Sequence, residues 1–330
     1  MKLLKPAMNS NNQKKKIAFI VGTFPTISET FIINQIADLN DRGFEVEIFA
    51  FEKGGLENVS QRFFDYKMAE KTYYLEMPKN KLRRLIKALP KAIHILLTRP
   101  EIFTKIFNFK KYGQLASSLK LLFYIEPFLG KSHDLVHCHF GKIANKYLII
   151  REILGSKVKF MTSFYGFDVS MVFKEKPADY YDMLKKECPK YIVMSNNMKQ
   201  RVVNYGFDGD KIEVVPISID VSKYPYKERC WRAGETTQMI SVGRFVEKKG
   251  FDDLLRAMAI VKQKATKPFK LFIVGGGDLE ARLKQMTEEL KIKDIVEYLG
   301  YMKIEDLIKY FSKMHLYIQS SKTASDGDME

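Results

Sequence analysis

The sequence predicts an α/β protein built from two doubly wound parallel-sheet domains in series. Three observations carry this expectation. Short, almost wholly apolar runs alternate with helical patterns along most of the chain, the alternation breaks near residue 220, and it then resumes. A run that is apolar at every position belongs to a strand covered on both faces, as in a parallel sheet flanked by helices. With 330 residues, 46% of them hydrophobic, the chain can bury two ordinary cores.

Residues 1–15 contain lysines but no continuous apolar stretch, so they are expected to be a disordered lead-in rather than a secretory signal. The first domain, 16–217, opens with the strand IAFIVG and the helical stretch SETFIINQIADLNDRG. Thr26 and Glu29 have capping-box spacing there, and Gly43 supplies the stop. FEVEIFAF, DLVHCHF, KVKFMTSF, YIVMS and KIEVVP read as further strands, with ANKYLIIREILG and NNMKQRVVNYG as helices. Residues 218–235 mix charges with Pro225 and Gly234 and lack periodicity, which marks a linker. From 236 to 330 the alternation restarts with TTQMISVG, FKLFIVG, IVEYLG and LYIQS as strands between amphipathic helices. The expected arrangement is two such domains across a cleft, with ligands at the carboxyl ends of the strands.

The net charge of +16 is concentrated. Between Tyr66 and Lys131 there are fourteen Lys or Arg against four Glu, a surplus of ten. Within this region NKLRRLIKALPKAIHILL alternates basic and apolar residues at near-helical spacing. Two readings stay open: a solvated helix whose apolar side meets the core, or a peripheral surface for anionic lipid head groups. Zinc-finger spacing, an aromatic RNP pattern and a basic recognition helix are all missing, so no nucleic-acid partner is expected. No run of about 18 uncharged apolar residues occurs, so no membrane-spanning segment is expected. Cys138, Cys188 and Cys230 have no tight spacing, which argues for a reducing, cytoplasmic setting over a disulfide framework.

The chemistry concentrates at strand ends. Arg244 and Lys249 follow the strand ending at Gly243, close to a helix amino terminus, where partial positive charge and free N–H groups suit an anion. Arg offers a planar fork for phosphate oxygens and Lys a point charge. The next strand ends in VGGGDLE, so Gly275, Gly276 and Gly277 allow backbone to approach a ligand closely. Together these turns describe a diphosphate pocket. The glycine run departs from the G-x-G-x-x-G dinucleotide pattern, which weighs against an oxidoreductase. His137 and His139 share one face of a strand, but no third or fourth ligand is near in sequence, so no metal is expected. A hydrolase triad lacks its G-x-S-x-G elbow.

VGRFVEKKGFDDLLRA, FIVGGGDLEARL and VEYLGYM, in that order, resemble the donor-nucleotide half of the group 1 family of retaining glycosyltransferases with the GT-B fold, two Rossmann-like domains. FPTISETFIINQIADLNDRGFEVEIFA, DLVHCHFG, SFYGFDVS and VMSNNMKQRVVNYGFDGDKIEVVPISID resemble the branch that builds exopolysaccharide, colanic acid-like and lipopolysaccharide chains. The resemblance implies a UDP- or GDP-sugar donor, a glycan or lipid-linked acceptor, and no cofactor. It implies that Arg244 and Lys249 hold the diphosphate, that Gly243 and Gly275 to Gly277 form its wall, and that Gly300 and Tyr301 lie beside the base. Ser28, Glu29, His139 and the stretch Tyr165, Gly166 to Asp168 would face the transferred sugar and the acceptor. The leaving diphosphate would itself help deprotonate the acceptor, so no protein nucleophile is needed.

Two departures accompany the resemblance. Tyr165 stands where the family commonly has His, and a phenol with pKa near 10 is a poor proton shuttle at neutral pH. By the resemblance, Glu330 matches the first glutamate of a two-glutamate motif and would contact the donor sugar at the catalytic centre, and the sequence stops before the second. The sequence is therefore expected to be a truncated form, with an apolar sheet edge that lowers solubility. These departures also motivate an alternative: a non-catalytic, nucleotide-binding scaffold of a glycan assembly complex.

Overall fold

The computed structural model describes residues 14–217, 219, 221–224, 226, 228, 232 and 234–328. The chain divides into two compact units, one of Met1–Val169 and Glu175–Ile217, the other of Ser170–Lys174 and Ser218–Glu330. The short insert 170–174 groups with the second unit, although it lies far inside the expected first domain. Several residues of the expected linker, and most of the expected lead-in, lie outside the described residues.

In the first unit the elements run β1 (Lys16–Phe24), α1 (Thr30–Asp41), β2 (Glu45–Lys53), β3 (Thr72–Tyr74), α2 (Lys81–Thr98), β4 (Leu135–His139), α3 (Gly141–Leu154), β5 (Phe160–Ser163), β6 (Lys190–Val193), α4 (Asn196–Asn204) and β7 (Ile212–Val214), with short helical turns between them. They form one parallel sheet in the order β3-β2-β1-β4-β5-β6-β7. β1 lies between β2 and β4, so Ala18 to Val21 are fully buried on both faces, which explains their unbroken apolar run. Phe19 and Val21 join Ile32, Ile36, Val46 and Ile48 in one core layer. β3 was not anticipated from the sequence. Three half-buried residues are too short a run to show a period, and they sit beside a region dominated by helical signal.

The second unit contains β8 (Thr237–Val242), α5 (Phe251–Lys264), β9 (Phe269–Val274), α6 (Glu280–Glu289), β10 (Val296–Gly300), α7 (Ile304–Phe311) and β11 (Leu316–Tyr317). Its parallel sheet has the order β10-β9-β8-β11. β9 shows the period of two plainly: Leu271 and Ile273 pack with Leu254, Leu255 and Leu283 on one face, and Val274 packs with Ile240 and Leu307 on the other. β11 is an edge strand of two residues, with Leu316 and Tyr317 exposed.

Two local expectations need correction. Thr26 and Glu29 form no capping box. A 3₁₀ turn, Ile27–Glu29, precedes α1, and neither the Thr26 nor the Glu29 side chain caps it. The cause is backbone geometry: Glu29 has left the helical region at φ −114° and ψ 38°, so the helix starts only at Thr30. The second concerns α2, where the exposure of the apolar stripe bears on the reading in which that side meets the core. Ala88 and Ile95 are buried, whereas Leu82, Leu85, Ile86, Leu89, Ile93, Leu96 and Leu97 are 47–78% exposed. The apolar side of this helix does not face the core.

Candidate active site

Both sheets place a topological switch point at a strand's carboxyl end, where open parallel sheets bind ligands. In the first unit it falls between β1 and β4, and in the second between β8 and β11.

At the second switch point, the turns after β8 and β9 are tied by backbone. Gly243 N–H donates to Val274 O at 3.0 Å, Phe245 N–H to Gly276 O at 2.8 Å, and Leu279 N–H to Phe245 O at 3.1 Å. The turn after β10 joins them, with Gly275 N–H donating to Gly300 O at 2.9 Å and Tyr301 Oη to Gly276 O at 2.9 Å. Gly275 has φ +137°, and a Cβ there would stand 1.9 Å from Gly243 O, so only glycine fits the crossing of the two turns. Arg244 is exposed on the first turn. Lys249 is half-buried, and a Cβ on Gly243 would meet its Cδ at 3.3 Å, so its aliphatic stem runs across the end of β8. The structure thus brings Gly243, Arg244, Lys249, Gly275, Gly276, Gly277, Gly300 and Tyr301 to one edge of the sheet.

Two features of this edge differ from the sequence reading. The amino end of α5 is not bare, because its first turn carries Asp252 and Asp253, and both accept from Lys322 Nζ at 2.8 Å. Those carboxylates already complement the helix dipole, so this helix terminus is not a bare seat for an anion. The second is Lys248, which sequence reasoning passed over. It is buried and pairs with Asp328 Oδ2 at 3.0 Å, while Asp328 Oδ1 accepts from Ser170 Oγ at 3.0 Å. Of two adjacent lysines, one is therefore structural. A separation of 80 residues hid that partner from any local pattern. Glu330 lies outside the described residues.

At the first switch point the backbone between β4 and α3 is bent hard. Phe140 has φ +73°, an unfavourable region for an aromatic residue, held by its N–H to Ser163 O at 2.9 Å. Gly141 follows because a Cβ there would lie 2.3 Å from the Phe164 ring and 2.7 Å from Tyr181 Oη. Asp168 is fully buried and accepts from Gly141 N–H at 3.0 Å and Tyr165 N–H at 3.2 Å. Expected to face the sugar, it instead joins the β4–α3 turn to the loop after β5, because those two amides have no helical partner of their own. Burial pushes its carboxyl up to about 7, against the opposing pull of the two amides.

His139 is also buried, and the structure pairs it with Tyr165. Its Nδ1 lies 2.9 Å from Tyr165 Oη, and its Nε2 has no hydrogen-bond partner among the described residues. Phe31 and Phe140 pack on the Tyr165 ring, with centroids 4.7 and 4.8 Å away. Burial raises the phenol further and holds His139 well below the usual histidine range. At neutral pH the pair is uncharged, suited to hydrogen bonding rather than proton relay. His137 points the same way as His139, with ring centroids 4.2 Å apart, and its Nε2 lies 2.8 Å from Ser163 Oγ. Burial holds it at about 4. Ser28 is exposed and Glu29 half-buried on the turn after β1, and the Glu29 charge adds to the upward shift of Tyr165.

The family described as Glycosyltransferase Family 4 matches residues 28–223, and Glycosyl transferases group 1 matches residues 229–327. The amylovoran biosynthesis glycosyltransferase AmsK of Erwinia amylovora is 31% identical over 326 residues, spanning 96% of this chain and 77% of that protein. The putative colanic acid biosynthesis glycosyltransferase WcaL of Salmonella typhimurium is 29% identical over the same shares of both chains. Among solved structures, Anabaena HepE in complex with UDP and glucose aligns with a TM-score of 0.59 at 13% identity, covering 93% of this chain and 74% of that one. TarM aligns with a TM-score of 0.61 at 10% identity, over 95% and 81%. With two parallel-sheet units matched over residues 28–223 and 229–327, the chain belongs to the group 1, family 4 glycosyltransferases and has the GT-B fold.

Proposed function

We propose that this glycosyltransferase moves a sugar from a nucleotide-sugar donor, a UDP- or GDP-sugar, to a growing exopolysaccharide or lipid-linked glycan, with retention of anomeric configuration. The observation that carries the donor assignment is the set of interlocked turns after β8, β9 and β10, with Arg244 and Lys249 on the first. The names of AmsK and WcaL support the acceptor class, and the UDP held by HepE supports a nucleotide donor.

In the reaction, the bond from the anomeric carbon to the diphosphate oxygen breaks and a bond to an acceptor oxygen forms. The acceptor's proton passes to the departing diphosphate. Negative charge grows on that diphosphate, and Arg244 and Lys249 are the cations that meet it. Because two side chains neutralise the leaving group, the step is assigned no metal. Gly275 to Gly277 admit the phosphate close to backbone, and Tyr301 flanks the base. In the first unit Ser28, Glu29 and the His139–Tyr165 pair serve the sugar and acceptor, while Asp168 holds their loop in place.

The test compares transfer from UDP- and GDP-sugars by the wild type and by Arg244→Ala/Lys249→Ala. The double variant is expected to lose about a hundredfold or more in kcat/KM, the scale seen on removing donors to a developing anion. Wild-type activity is expected to survive a chelator. Unchanged rates in the double variant overturn the phosphate role. Tight UDP or GDP binding by a wild type that transfers nothing supports the scaffold reading instead.

A further inference from the structure

We infer that α2 is a docking surface for the anionic face of a phospholipid bilayer. At about 100° per residue, its seven exposed apolar side chains fall within an arc of roughly 120°. The buried pair, Ala88 and Ile95, lies on the other side of the helix. The apolar stripe therefore points away from the unit that carries the helix, the reverse of an ordinary surface helix.

Cations border this stripe. Lys81 stands at one margin and Arg83 and Lys87 beyond the other, all exposed, and the 18 residues contain no Asp or Glu. An apolar strip edged with Lys and Arg is the composition of a helix that lies in the bilayer interface, its apolar side chains at the boundary of headgroups and acyl chains and its cations among phosphates. The same charges argue against a second copy as the cover. A twofold contact through this face would bring cationic margins together, with no acidic residue in the helix to offset them. The surface belongs to the first unit and its test needs neither donor nor acceptor. It stands or falls apart from the transfer reaction.

The experiment is sedimentation of the full chain with vesicles of phosphatidylglycerol mixed with phosphatidylcholine, and with phosphatidylcholine alone. Binding is expected to the mixed vesicles, to weaken in high salt, and to be at least tenfold weaker to phosphatidylcholine. Leu85→Gln/Leu89→Gln and Arg83→Gln/Lys87→Gln are each expected to weaken it about tenfold or more. Because these side chains are exposed, urea midpoints should stay at the wild-type value. Absent binding, equal binding to both vesicle types, or double variants that bind as the wild type does would each overturn the proposal. So would a urea midpoint lowered by Leu85→Gln/Leu89→Gln, or a wild-type dimer that this variant converts to monomer, since either places protein over the stripe.

Discussion

Asp168 carries the sharpest consequence at the scale of single residues. Its carboxyl titrates near 7 in the fold, against about 4 in an unfolded chain. Between those values the folded state holds a proton that the unfolded state has released, so stability is full below pH 4 and falls as pH rises toward 7. In Asp168→Asn that loss disappears, at the cost of one backbone hydrogen bond. The difference in unfolding free energy between variant and wild type is expected to shift toward the variant by up to about 1.4 kcal/mol per pH unit over this window. Urea titrations of both proteins at pH 5 and pH 8 check it, and a pH-independent difference refutes the assignment. The same residue shows where reading the sequence stops. SFYGFDVS announced a functional loop, but nothing in it revealed that the aspartate serves two amides rather than a ligand. Lys248 and Lys249 make the same point, since adjacent letters became a buried ion pair and a lysine at the site edge.

At the scale of elements, the site rests on turns rather than on helices or strands. Gly275 is where two turns cross, and an alanine there must displace Gly243 or leave its own positive φ. Gly275→Ala is expected to lower stability by roughly 2 kcal/mol or more and to weaken UDP binding at least tenfold. Calorimetry with UDP, alongside a urea midpoint, checks both; an unaltered midpoint refutes the close crossing. Most elements were legible because burial on both faces forces continuous apolar runs, as in β1 and β4. The failures were short or cap-dependent. β3 has too few residues to show a period, and the start of α1 depended on backbone angles that Thr26 and Glu29 do not encode by themselves. For α2 the periodicity located the helix without saying which way its stripe would face.

For the whole molecule, nucleotide binding should register on the second unit. Hydrogen exchange with UDP present is expected to slow at residues 243–250 and 275–280, while the β2–β3 edge of the first sheet is unaffected; protection confined to the first unit would refute the donor assignment. Two parallel sheets in series, the seats of Arg244, Lys249 and Gly275 to Gly277 at strand ends, and the band of positive charge from 66 to 131 were all determined by the sequence alone. Each follows from chain-local physics: apolar period, glycine placement and charge count. Only the tertiary structure decided that Asp168 and Lys248 are structural, that Tyr165 shares a hydrogen bond with His139, and that the apolar side of α2 faces outward. Those outcomes depend on partners dozens of residues away, and burial and desolvation act through whatever the fold brings near, not through neighbours in the chain.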